Sequence, residues 1–162
     1  MSVEVIIEDP RWSPLGIEEC SNHAAAAVLS HVGLRPDDWE IAILACNDPA
    51  IAELNRAFRG KASPTNVLSW PSVERRPGQA GAAPVLPDLS EGPELGDIAI
   101  AFDTTTREAE TADRPVEHHV IHLLVHAVLH LLGYDHEDDR DAARMEREEV
   151  EILASLGVPN PY

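Results

Sequence analysis

Residues 126–136 read HAVLHLLGYDH and set three imidazoles, His126, His130 and His136, within a mostly apolar stretch. A helix places His126 and His130 about 40° apart around its axis and roughly 6 Å along it, so both point to one side. That spacing lets two imidazoles reach one metal ion at about 2.1 Å each. Gly133 permits a left-handed reversal of the chain after the helix, and His136 can then swing back toward the pair. Three neutral nitrogens with an open fourth position describe a catalytic zinc site better than a structural one, which a fourth protein ligand would close. Nickel, cobalt and iron also suit such a donor set.

A lone histidine on such a face is more often a satisfied core or surface residue. Three at this spacing are different, because burying imidazoles without partners costs free energy with nothing in return. His122, one turn earlier, belongs to an outer layer around the site or to packing. His118 and His119 read as surface residues at the start of the helix, and His23 and His31 lie far away in sequence. A zinc peptidase of the HExxH type carries its general base beside the first histidine; here that position is Ala127. Asp135 either orients a ligand imidazole or caps the turn.

Outward from this stretch, the chain reads as strands and helices in mixed order. Val3 to Glu8, Glu40 to Cys46, Asn66 to Trp70 and Gly96 to Phe102 read as strands. Ile17 to Val32 reads as a helix ended by Gly33 and Pro36. Asn47 or Asp48 caps the helix carrying Ile51, Leu54, Asn55 and Phe58. Asp103 to Thr106 offers caps for a further helix, Pro115 starts the histidine helix, and Arg140 to Leu156 forms an amphipathic closing helix. Ser72 to Glu94, with Pro77, Pro84, Pro87 and Pro93, has no period of two or 3.6 and reads as a flexible surface loop. The expectation is an α+β fold: one domain over residues 1–162, a small mixed sheet of about four strands packed with helices, and the metal site on the helix carrying HAVLHLLGYDH.

Composition sets the outer limits. At 162 residues and 44% hydrophobic the chain is of single-domain size, and 4% aromatic points to a core of Leu, Val, Ile and Ala. Cys20 and Cys46 form no CxxC and read as buried small apolar residues. No apolar run approaches a membrane span and the first residues carry no secretory pattern, so a cytoplasmic, reducing setting without membrane partners is expected. The net charge of -17 argues against nucleic acid on average. It hides a patch: Arg56, Arg59, Lys61, Arg75 and Arg76 fall in a span whose one acid is Glu74, while Glu137 to Glu151 loads the closing helix with acids.

HAVLHLLGYDH resembles the signature of the YbeY family of bacterial ribosomal RNA maturation factors, written HGxLHLxGYDH, with Ala127 where the family usually has glycine. LNRAFRGK (54–61) with PTNVLSWP (64–71) is similar to the family's LNxxYRGKDxPTDVLSFP, with Ala62 for the usual aspartate and Trp70 for the usual phenylalanine. LGDI (95–98) matches a third segment. The resemblance runs from about residue 40 to Tyr162, and the loop at 72–94 is longer than typical.

The resemblance implies a zinc-dependent, single-strand-specific endoribonuclease acting in 16S rRNA 3′-end maturation and late-stage 70S ribosome quality control. It implies one zinc ion per chain on His126, His130 and His136, and catalytic roles for Arg59 and His126. Arg59 matches the family's functionally important arginine; it sits in the locally cationic segment, and a guanidinium suits bidentate phosphate contact. The plainer reading of Arg59 is a surface salt bridge or stacking on Phe58 or Trp70. Implied partners are single-stranded rRNA, small-subunit particles, and assembly proteins, possible assembly GTPases included. Two rivals stand beside this: an assembly factor whose metal is structural, and a zinc hydrolase of another substrate class.

Overall fold

A computed structural model of the chain describes residues 2–75 and 77–162. Arg76 of the cationic span therefore lies outside the described residues. Four strands, β1 (Ser2–Ile7), β2 (Glu40–Cys46), β3 (Val67–Pro71) and β4 (Glu94–Ala101), form one sheet in the order β1-β2-β4-β3. β1, β2 and β4 run parallel and β3 runs antiparallel to β4, so the sheet is mixed and β3 is an edge. The expected α+β architecture is what forms.

Alternation along the strands sorts side chains to two faces. Ile41, Ile43 and Ala45 of β2, with Ile98 and Ile100 of β4, join the main core under α1 (Ile17–His31), α4 (Val116–Leu131) and α5 (Asp139–Ser155). Cys46, Ala99, Ala101 and Leu68 face the other way, against Ile51 and Leu54 of α2 (Asp48–Arg59). Helix α4 is apolar nearly all round, with Val120, Ile121, Leu123, Leu124, Val125, Ala127, Val128, Leu129 and Leu131 buried. An all-round apolar helix belongs inside a protein, and that placement makes the exceptions, His122, His126 and His130, informative.

One expectation about local structure is corrected. Asp103 and the threonines after it do not precede their helix: α3 (Phe102–Thr111) begins at Phe102, with Ala101 at the cap position and no side-chain cap. Its first-turn donors are met by α2 instead. Thr104 N–H donates to Asp48 Oδ1 at 2.9 Å, while Asp48 N–H donates to Asp103 Oδ2 at 3.1 Å, so the two helix starts cap each other. The Pro-rich loop meets the closing helix at Gly81. Gly81 N–H donates to Asp141 Oδ1 at 2.7 Å and Arg144 Nε donates to Gly81 O at 2.8 Å, which ties the loop to α5.

Two glycines hold the frame of the site together. Gly133, at φ 103°, reverses the chain after α4, and a Cβ there would lie 2.2 Å from the Arg75 carbonyl oxygen. Gly96, at φ 144°, lets β4 pass β3 where a Cβ would lie 2.2 Å from the Trp70 carbonyl oxygen. Both positions therefore need glycine for space as well as for φ. No described helix is long and apolar enough to cross a membrane.

Candidate metal centre

α4 carries His126 and His130 one turn apart, and the reversal at Gly133 returns His136 to them. One ring nitrogen from each of the three lies within 4.8 Å of the other two. His126 Nε2 and His130 Nε2 are 3.1 Å apart, and the ring centroids of His126 and His136 are 5.4 Å apart. Burial, with His126 and His136 close by, pulls the His130 imidazole down to about 4. It is neutral at pH 7, the form whose lone pair binds a cation. The donor set therefore fits a zinc-like ion.

Glu149 supports this cluster. Its side chain is fully buried on α5, with Oε1 2.8 Å from His126 Nδ1 and 3.3 Å from His122 Nε2. The Tyr162 hydroxyl donates to Oε2 at 2.7 Å. Burial opposes ionisation of Glu149, but hydrogen bonds from His122, His126 and Tyr162 outweigh it and hold the carboxyl at about 2. Burial and this carboxylate push the Tyr162 phenol up, so it remains a donor. Asp135 does something else: its Oδ1 accepts the His136 N–H at 2.7 Å and shapes the turn.

The histidines open into a cleft of about 610 Å³. One wall is β3 with Thr65 and Asn66; Phe58 and Arg59 come from the end of α2, and Tyr162 from the segment after α5. Phe58 is 66% exposed and packs edge-on against Trp70, with centroids 5.4 Å apart. Arg59 is exposed and has no ion-pair partner among the described residues, so its guanidinium is available to a ligand.

The cationic span is dismantled by the fold. Arg56 is paired with Glu53 on the helix surface. Arg75 turns inward, donating through Nη1 to the carbonyls of Val73 at 3.2 Å and Leu131 at 3.0 Å. Among the described residues of the span Arg59 and Lys61 have no ion-pair partner, and Arg75, though its Nη1 is engaged, also lines the cleft.

Sequence reasoning counted Glu149 only among the acids that load the closing helix and gave Tyr162 no role. The signal for Glu149 was present: Met145, Glu149, Ile152 and Leu153 follow the helical repeat of one buried stripe, and a glutamate in that stripe needs a partner. Tyr162 left no such signal. His119 is also corrected, since its ring is only 12% exposed and lies 2.9 Å from Glu108. His122 packs against Glu149 in the outer layer, as its spacing suggests, and His31 pairs with Glu148 on the surface.

Comparison with known proteins bears on this arrangement. The family described as Endoribonuclease YbeY matches residues 8–157. A protein named Endoribonuclease YbeY from Jannaschia sp. is 51% identical over 162 residues, covering 100% of both chains. One of the same name from Dinoroseobacter shibae is 51% identical over 163 residues, covering 99% of this chain and 90% of its own. The solution structure of TM1509 from Thermotoga maritima superposes with a TM-score of 0.56 at 20% identity, covering 96% of this chain and 91% of that one. That structure shares the fold.

Proposed function

The chain belongs to the Endoribonuclease YbeY family, and from that premise we propose that it is a zinc-dependent endoribonuclease that cuts single-stranded ribosomal RNA in the cleft beside His126, His130 and His136. The observation that carries this reading is the convergence of three imidazole nitrogens within 4.8 Å in a cleft that Arg59 also lines. His126, His130 and His136 would hold the ion. When bound, it supplies Lewis acidity, offsetting charge that develops on a phosphate oxygen and easing ionisation of water. Arg59 clamps the phosphate and holds it in line. His126, steadied from behind by Glu149, keeps its ring fixed while substrate binds.

Single-strand preference fits the wall. Phe58 and Trp70 offer aromatic surface on which an unstacked base can lie. The open edge of β3 weighs against a peptide substrate. Hydrogen bonds from Ala101 N–H to Asn66 O and from Ser72 N–H to Leu95 O fix the ladder phase, so Val67, Ser69 and Pro71 turn their main-chain groups outward. Asn66 Oδ1 already takes the Val67 N–H, and proline has none. Among the described residues that edge offers one donor, Ser69 N–H, too few for pairing with a peptide strand.

Within this proposal residues 1–162 act as one unit in the cytoplasm on the 3′ end of 16S rRNA, with late-stage 70S quality control as the wider role. The charge of -17 and the engagement of Arg56 and Arg75 within the fold favour docking through small-subunit particles and assembly proteins, an assembly GTPase among them. The test is cleavage of a single-stranded RNA spanning that 3′ end by wild type, His126→Ala and Arg59→Glu. Cleavage falls on the order of a hundredfold or more in both variants, with metal retained in Arg59→Glu. Equal cleavage by all three overturns the proposal.

A further inference from the structure

The segment after α5 is fastened to the body at several points. Val158 is buried, and Arg114 Nη2 donates to the Pro161 carbonyl at 2.5 Å. Tyr162 N–H donates to Asn160 Oδ1 at 2.8 Å. Tyr162 is thereby delivered to the cleft, its ring edge-on to His122 with centroids 5.7 Å apart. Its hydroxyl lies 2.7 Å from Glu149 Oε2 and 3.4 Å from His122 Nε2.

These contacts form a chain of donors and acceptors with a defined direction. A phenol donates to a carboxylate, which commits Oε2 of Glu149 to Tyr162. The other oxygen, Oε1, faces His126 Nδ1 at 2.8 Å and, as a carboxylate oxygen, accepts a hydrogen bond from its N–H. An imidazole with its proton on Nδ1 has a bare Nε2, and that atom lies 3.1 Å from His130 Nε2, inside the histidine cluster. Glu149 is buried and cannot exchange these donors for water. Losing one therefore loosens the rest.

We propose that Glu149 and Tyr162 are positioning residues for the histidine centre: the tyrosine hydroxyl fixes the carboxylate, and the carboxylate fixes the tautomer and ring angle of His126, so that its Nε2 faces the ion. The segment from Gly157 to Tyr162 is on this account part of the active site and not a trailing end. The inference rests on the metal reading above. Carboxylates that orient ligand imidazoles change metal affinity by about 10–100-fold when removed. Tyr162 acts one bond further out, so its loss has a smaller effect in the same direction.

The experiment is zinc binding by the full chain, stripped with chelator and titrated against a chromophoric zinc competitor, for wild type, Glu149→Gln, Tyr162→Phe and His130→Ala. Nitrogen NMR of the His126 ring in the metal-free protein reads the tautomer separately. Glu149→Gln is expected to bind zinc about 10–100-fold more weakly and to lose the single Nδ1-protonated form. Tyr162→Phe, which keeps the ring against His122 and stays folded, is expected to bind several-fold more weakly. If wild type binds one zinc and both variants bind it within twofold, the positioning role is overturned while the metal reading stands. If wild type takes up no zinc, or His130→Ala takes up as much, the metal reading itself falls.

Discussion

Arg75 Nη1 donates to the Leu131 carbonyl oxygen at 3.0 Å, joining the segment that follows β3 to the last turn of the histidine helix. By charge alone Arg75 belongs with Arg59 as a phosphate contact. The fold spends it on a carbonyl that helix geometry leaves without a partner. Two cations 16 residues apart in sequence thus take opposite roles, and the difference is measurable.

Arg75→Ala is predicted to destabilise the protein by about 1–3 kcal/mol, since it removes a charged donor from a partly buried carbonyl. Urea denaturation reads this as a lower midpoint with an unchanged slope. Arg59→Ala, at an exposed site, should leave the midpoint alone and weaken RNA binding with a shallower salt dependence. An unchanged midpoint in Arg75→Ala and a lowered one in Arg59→Ala would reverse these assignments.

The Glu149 carboxyl is held at about 2 in the fold against an ordinary value of 4.5. A depressed carboxyl stabilises the folded state above its unfolded value, and that contribution disappears as pH falls from about 4.5 to about 2. The amount is on the order of 3 kcal/mol for this buried group. Metal-free wild type should therefore lose stability across that window more steeply than metal-free Glu149→Gln. Parallel acid curves for the two would remove Glu149 as the source.

Cys46 is buried against Ile100, and burial, with Glu8 and Asp48 nearby, pushes its thiol up to about 12. A raised thiol favours the fold below its ordinary value of 9.0, and this advantage is lost as pH climbs toward 12. Native protein at pH 8 should leave Cys46 unmodified by a thiol reagent over the time in which urea-unfolded protein reacts fully. Rapid native labelling would contradict the burial.

Gly96→Ala is expected to cost several kcal/mol, because its Cβ would sit 2.2 Å from the Trp70 carbonyl oxygen and 2.8 Å from Leu131. Gly60→Ala provides the control: its φ is 72° but nothing lies within 4 Å of a Cβ. It should cost about 1 kcal/mol, the backbone penalty alone. Similar melting temperatures for the two variants would show that the close approach of β3 and β4 is relaxed in solution.

Strand order aside, most of the fold was written locally. Alternation in EIAILAC gave β2 its bounds, and the choice of Asn47 or Asp48 as cap placed the start of α2 within a residue. Helical spacing and the reversal at Gly133 anticipated that the three histidines converge. What the chain could not announce were pairings between distant residues. Asp48 and Asp103 cap each other's helices across 55 positions, and Tyr162 reaches Glu149 through a turn that no periodicity describes. Charge counting also misled, because whether an arginine meets solvent or a carbonyl is decided by tertiary placement. Glu149 is the instructive miss: its place in the buried stripe of α5 was legible, and its acid type invited the wrong reading.

The most direct test of the central claim is zinc back-titration of chelated protein while following cleavage of single-stranded RNA. The account predicts that stripped wild type is inactive, that activity returns with one zinc per chain, and that His136→Ala recovers neither zinc nor cleavage. Full cleavage by the stripped protein, or by His136→Ala, would contradict it.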